Sequence, residues 1–216
     1  MSDVPQLLDR EAEEEYEIES TEGGLWTGSR LFVGAVTMAW SAVAFAYFYL
    51  RAIDRSGQWD PHHLTPPPVI GTLIALCVLL GAFMLEYGRH QLRRGLHFEW
   101  LTAAWLTALF GAIAGGFQIW QLTRLPFYPG EYGYTSVFIG FAPLNVAMIL
   151  GGAYWAETIA ARSIRLRAEV GPDMHLGESE HAAARHLRAS LAGCNFYWWF
   201  MVLASLLFWI LFYVVD

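Results

Sequence analysis

The chain has 216 residues, of which 56% are hydrophobic and only 15% are charged. This composition excludes an ordinary soluble domain, in which about 25% of the residues are charged. We also expect no nucleic-acid partner. The net charge of −7 arises mainly in the first 22 residues, which hold nine of the 20 acidic residues.

The acidic segment 1–25 has no apolar periodicity, so it is predicted to be a disordered cytoplasmic tail, with a docking arm as the alternative. Its composition is the reverse of a signal peptide, which needs a basic start and a short apolar run. The first apolar segment is therefore expected to act as its own insertion signal.

Five apolar segments follow, and each is long enough to cross a membrane. About 20 helical residues at about 1.5 Å each span a hydrocarbon core of about 30 Å, whereas barrel strands would alternate polar and apolar residues. The sequence thus predicts an all-α polytopic bundle of five transmembrane helices, with spans at 31–50, 69–87, 100–123, 132–156 and 189–215.

All 13 basic residues are arginines, and their distribution predicts an orientation. Three of them, Arg51, Arg55 and Arg124, lie on one side of the predicted spans. The other ten lie on the opposite side: Arg10, Arg30, Arg89, Arg93, Arg94, Arg162, Arg165, Arg167, Arg185 and Arg188. The positive-inside rule then places the N-terminus in the cytoplasm, and for a bacterial protein the membrane is the plasma (inner) membrane.

Residues suited to chemistry are few in the predicted spans. All seven histidines fall in connections or at span ends, where they are poorly placed to ligate haem or a metal within the bundle. His62 and His63 with Asp60 offer a metal site, although polar surface is the favoured interpretation. Glu86 and Glu157 lie at span ends near arginines, which favours interfacial anchoring over proton transfer. We therefore predict no catalytic, cofactor-binding or metal-binding residue.

Small and amide side chains inside the spans indicate helix packing. Gly111 and Gly115 in the third span allow two helices to approach closely. Gln118, Gln121 and Asn145 are expected to hydrogen-bond between helices, or alternatively to line a small polar cavity.

Several motifs, in order along the chain, resemble subunit III of the haem-copper cytochrome oxidases in its short five-helix bacterial form. Residues 46–51 (AYFYLR) resemble the ending A-Y-F-Y-L-R of an early family helix, and the Trp-Pro and proline-rich segment 59–73 resembles the connection after it. Residues 90–95 (HQLRRG) are similar to H-A-L-R-R-G. Residues 133–141 are similar to Y-G-S-x-F-F-x-x-x-G-F, and residues 196–200 (FYWWF) to W-Y-W-H-F.

The chain departs from the family at its acids and histidines. Uncharged residues stand at every one of those positions, which are Val36, Gln121, Ala142, Asn145, Trp199 and Val202. The lipid-anchoring and proton-related roles of those positions therefore do not transfer to this chain.

The resemblance implies a non-catalytic subunit that stabilises the catalytic subunit I, together with subunit II, in an oxidase supplied by cytochrome c or quinol. Haem and copper are then expected in the partner subunits, with phospholipid as the one ligand implied for this chain. Contacts with membrane lipid or partner subunits are expected at Arg51, Arg93, Arg94, Gly111, Gly115 and Asn145.

Three alternatives remain. The first is an accessory subunit of a nitric oxide reductase, which shares the fold. The second is a small stand-alone transporter, although neither deep charges nor an internal repeat is present. The third is a membrane-bound enzyme acting through the connection 157–188, a predicted loop of 32 residues.

Overall fold

The computed structural model describes residues 4–55, 57, 59–60, 65–171, 175–179 and 181–215, excepting the side chains of residues 4–15, 17, 18 and 170. The regular structure of these residues is entirely helical, and five helices are long and apolar enough to cross a membrane. The predicted all-α, five-helix fold is therefore confirmed. The bounds are Val4–Ile53 for α1, Pro68–Arg93 for α2, His97–Leu122 for α3, Gly133–Val170 for α4 and Ala182–Tyr213 for α5.

Each predicted span lies inside one helix apart from one or two terminal residues. The agreement has a simple physical reason: backbone N–H and C=O groups have no water to bind in hydrocarbon, so a spanning segment satisfies them internally as a helix. The second span, the shortest in its uncharged part, belongs to a helix of 26 residues.

Two helices extend beyond the membrane segments, and here the structure differs from the predictions. α1 begins at Val4, so residues 4–25 continue the first helix, whereas the sequence predicts a disordered tail. Glutamate is a good helix former, so the acidic segment can continue the helix. α4 likewise continues to Val170 and α5 begins at Ala182, so the predicted loop 157–188 is mostly helical.

Four of the helices close a ring. α2 packs against α3 and α5, and α4 packs against the same two helices, while α1 lies outside the ring against α4 and α5. The α2–α3 turn and the α4–α5 connection lie at one end of the bundle, which we call the Arg-rich end. The α1–α2 and α3–α4 connections lie at the other, the Arg-poor end.

At the Arg-rich end, the α4–α5 connection packs closely against the α2–α3 turn. A Cβ atom at Gly177, in the α4–α5 connection, would overlap the carbonyl oxygen of Leu92 near the end of α2. Arg188 donates hydrogen bonds to the carbonyl oxygens of Leu176 (3.0 Å) and Ser179 (2.7 Å). The connection is therefore held down on the α2–α3 turn, and glycine at position 177 is required by space.

Large apolar side chains remain exposed around the outside of the bundle. Met38 on α1, Val69 on α2, Phe98 on α3, Tyr154 on α4 and Leu203 on α5 are all more than half exposed. An apolar surface of this extent fits hydrocarbon or another membrane subunit and is unlike the surface of a soluble monomer.

Candidate functional site

A cluster of polar side chains occupies the centre of the ring, towards the Arg-poor end. The Asn145 amide nitrogen Nδ2 donates to Gln118 Oε1 at 2.9 Å, and Gln118 Nε2 donates to Gln121 Oε1 at 2.7 Å. Gln121 Nε2 in turn donates to the Tyr213 hydroxyl at 2.7 Å and to the Pro67 carbonyl oxygen at 3.3 Å. The hydrogen bonds thus form a continuous chain that joins α4, α3, α5 and the residue before α2.

Helical spacing explains how the chain is assembled. Gln118 and Gln121 are three residues apart and so lie on the same side of α3. Both are buried, as is Asn145, which lies about three turns inside α4. Each amide bonds to another amide or a hydroxyl, which offsets the cost of placing it in an apolar interior.

A small cavity adjoins this polar cluster. Its volume is about 20 Å³, and residues of all four ring helices line it, including Ile74 of α2, Gln118 of α3, Asn145 of α4 and Ser205 of α5. Both expectations for the three amides therefore hold: they hydrogen-bond between helices and they line a small polar cavity. Ser205 is a further lining residue, which the sequence does not distinguish because serine is ordinary in an apolar span.

The two glycines predicted to allow close helix packing do so. A Cβ atom at Gly111 would lie 2.7 Å from the Cβ of Ala153, and one at Gly115 would lie 2.6 Å from Leu150 Cδ2, both on α4. Real Cβ atoms do not approach this closely, so a side chain at Gly111 would force α3 and α4 apart, whereas at Gly115 the flexible end of Leu150 would have to move. Gly111 and Gly115 thus lie at a contact between α3 and α4 within this chain, and the lipid or subunit contact expected of them stays a prediction.

The three arginines expected at lipid or subunit contacts have different surroundings. Arg51 Nη1 donates to the Tyr47 hydroxyl at 3.1 Å and also to the carbonyl oxygen of Val215, so it joins the end of α1 to the end of the chain. Arg93 and Arg94 are exposed at the α2–α3 turn. Their exposure leaves them accessible to lipid headgroups or partner subunits.

An aromatic cluster closes the Arg-poor end. The Trp59 ring lies between those of Tyr47 and Tyr134, with centroid distances of 5.0 and 5.9 Å in edge-to-face geometry. The hydroxyl of Tyr47 donates to the Leu211 carbonyl oxygen at 2.8 Å, and that of Tyr134 donates to the Phe212 carbonyl oxygen at 2.9 Å. α1, α4 and the α1–α2 connection are therefore all fixed to the last turns of α5.

Towards the Arg-rich end, Glu86 has the arginine neighbour that the sequence indicated and one partner that it did not. Its carboxylate lies 3.6 Å from Arg89 Nη1. The carboxylate also accepts a hydrogen bond from Asn195 Nδ2 on α5. Glu86 therefore helps to join α2 to α5.

The acidic N-terminal helix touches the bundle. Glu22 pairs with Arg185 through two hydrogen bonds, from Nε at 2.8 Å and from a terminal nitrogen at 3.3 Å. Four residues later the Trp26 ring packs against Phe196 at 5.6 Å. This geometry is closer to the docking-arm alternative than to a freely solvated tail.

Metal ligands do not converge in the part of the chain that the structure describes: none of its His, Cys, Asp and Glu side chains form a group of three or more suited to an ion. His62 and His63, the alternative metal site with Asp60, lie outside the described residues. No known family model matches the chain, and no curated protein matches it either.

Proposed function

We propose that the chain is a non-catalytic subunit III of a bacterial respiratory haem-copper oxidase, packed against the catalytic subunit in the plasma membrane. The proposal assigns haem and copper to subunits I and II, and to this chain the role of a rigid, lipid-embedded support. Its basis is the resemblance of the ordered motifs, together with the positions of those motifs in the fold.

The observation that carries the proposal is that several of the motif residues join helices to one another. In the segment AYFYLR, Tyr47 binds the carbonyl oxygen of Leu211 in the last turn of α5, and Arg51 binds that of Val215 just beyond the helix. In the segment FYWWF, the Tyr197 hydroxyl donates to the Met148 carbonyl oxygen at 2.8 Å, and Trp198 Nε1 donates to the Gly152 carbonyl oxygen at 3.3 Å. A shared set of helix-joining residues is what a shared architecture requires.

The turn motif HQLRRG also has a physical explanation. It ends α2, and its last residue, Gly95, has φ = 78°, a backbone conformation that glycine adopts without strain. A Cβ at this position would also overlap the His175 ring. The resemblance in this segment therefore falls on a residue that the fold needs.

The first test is purification of the tagged chain in mild detergent, followed by a reduced-minus-oxidised haem spectrum, metal analysis and identification of bound chains. We expect haem, copper and the oxidase subunits I and II. An iron-only binuclear centre would instead indicate the nitric oxide reductase alternative. Absence of any haem-copper subunit, or solute transport by the chain alone in proteoliposomes, would overturn the proposal.

A second test locates the partner by photo-cross-linking from one exposed side chain on each helix. Suitable positions are more than a third exposed: Met38, Leu80, Trp105, Tyr154 and Leu203. A cross-linker at Ala104, which is fully buried, is the matched control. We expect cross-links to the catalytic subunit from neighbouring helices of one face and none from Ala104. Cross-links to lipid alone at every exposed position would contradict the proposal.

A further inference from the structure

The hydrogen-bond chain in the ring has partners for Gln121 at the Arg-poor end. At its other end, in the middle of the bundle, Asn145 keeps an acceptor atom without a partner among the described residues. Asn145 donates through Nδ2 to Gln118, but among the described residues its Oδ1 atom accepts no hydrogen bond. The Ser205 hydroxyl on α5 likewise has no partner within the described part of the chain. Both side chains are buried, with exposed fractions of 3% and 6%.

The two unsatisfied groups line one and the same cavity. Its volume of about 20 Å³ exceeds the roughly 10–15 Å³ that a single water molecule needs. The cavity is too small for a lipid chain or a quinone ring, and the cavities that stay empty in proteins are apolar. Here a polar acceptor and a hydroxyl are both present.

We propose that this cavity binds one ordered water molecule, which donates a hydrogen bond to Asn145 Oδ1 and forms a second with the Ser205 hydroxyl. Water suits the site because it both donates and accepts, and Ser205 does the same. An acceptor-only ligand would leave Asn145 Oδ1 unpaired. A cation would find two neutral oxygens here, fewer than its coordination requires.

The water extends the hydrogen-bond chain to a second position on α5, in the middle of the bundle. Among the described residues, the direct hydrogen bond from these amides to α5 is the one to Tyr213, near the end of the helix. With the water, Ser205, two turns deeper, is tied to Asn145 on α4 as well. The bound water therefore links α3 and α4, through Asn145 and its bond to Gln118, with Ser205 of α5.

Radiolytic footprinting of the full-length purified protein in H₂¹⁸O tests the site directly. X-ray radiolysis of a bound water produces a hydroxyl radical that oxidises the side chains beside it. Phe208 lines the cavity and is 1% exposed, whereas Trp198, on the same helix and equally buried, is not among the lining residues. Trp198 is therefore an internal control that is chemically more reactive than the reporter.

We expect ¹⁸O labelling of Phe208 with Trp198 unlabelled. The double variant Asn145→Leu with Ser205→Val, which makes the cavity apolar, should lower Phe208 labelling at least about fivefold. The matched variant Thr37→Val, on the exposed side of α1, should leave it unchanged. An unlabelled Phe208, equal labelling of both reporters, or labelling that persists in the double variant would overturn the proposal. A dry cavity in an experimental map that resolves ordered water would do the same.

Discussion

Replacement of Gln118 by leucine tests the polar cluster most sharply, because this side chain is the middle of the hydrogen-bond chain. It donates to Gln121 and accepts from Asn145, and it is 3% exposed. Leucine fills a similar volume but makes neither bond. Two buried polar atoms, Gln121 Oε1 and Asn145 Nδ2, would lose their partner.

The expected cost follows from hydrogen bonds between transmembrane helices. Each contributes about 0.6 kcal/mol on average and about 1.7 kcal/mol at most, since the unfolded chain in a membrane also finds partners. Loss of the bond between helices to Asn145, together with the bond within α3 to Gln121, should therefore lower the free energy of unfolding of Gln118→Leu by about 1 to 3 kcal/mol. Because Asn145→Leu removes one of the same bonds, the double variant should lose less than the two single variants together, by about 0.6 to 1.7 kcal/mol.

The assay is reversible unfolding in mixed micelles, followed by tryptophan fluorescence as denaturing detergent is added. Ser163→Ala provides the control pair, because Ser163 accepts a bond from Trp100 Nε1 at 3.0 Å near the Arg-rich end, far from Gln118. Gln118→Leu and Ser163→Ala should be additive within about 0.5 kcal/mol. A Gln118→Leu variant as stable as the parent, or strict additivity with Asn145→Leu, would refute the reasoning.

Three further predictions concern the ends of the bundle. Gly177→Ala should lower the free energy of unfolding by about 1 to 3 kcal/mol, because the added Cβ overlaps the backbone near Leu92. Gly140→Ala, where a Cβ meets open space, is the control and should be within about 0.5 kcal/mol of the parent. Equal effects of the two changes would contradict the packing argument. Tyr47→Phe should lower the unfolding free energy by about 1 kcal/mol through loss of its hydroxyl bonds, and Tyr49→Phe, at an exposed position, should not, as thermal unfolding would show. Glu22→Gln removes the charge that pairs with α5, so it should speed amide exchange over residues 19–29 at low salt with little change in global stability, and unchanged exchange would argue against docking.

The sequence predicts the transmembrane helices correctly, but it does not predict which residues of other helices their side chains contact. The number and class of the helices follow from uninterrupted apolar length, and Gly111, Gly115 and Asn145 are correctly placed inside the spans. The partner of Glu86 on α5 was not predictable, because Asn195 lies 109 positions away and no periodic signal links the two. The connection 157–188 was misjudged because charged residues end a membrane span without ending a helix.

The polar site shows the same division. Its three amides were identified because amides are rare in apolar spans, and their hydrogen bonding between helices was expected from the cost of burying them alone. Ser205 and Tyr213 were not, because a serine or a terminal tyrosine is ordinary in such a segment. Only the packing of α5 against α2 and α4 gives these two side chains their partners.

By itself, then, the sequence determined that the chain forms five helices able to cross a membrane, because long apolar segments without strand-like alternation satisfy their backbone hydrogen bonds in hydrocarbon as helices. The tertiary structure alone decided which face of each helix turns inward. A helix that is apolar on all sides has no stripe to mark its buried face. The ring of helices is closed by glycine contacts, edge-to-face aromatic pairs and hydrogen-bonded amides. These contacts, and the small cavity at the centre of the ring, bring together residues that lie far apart in the chain.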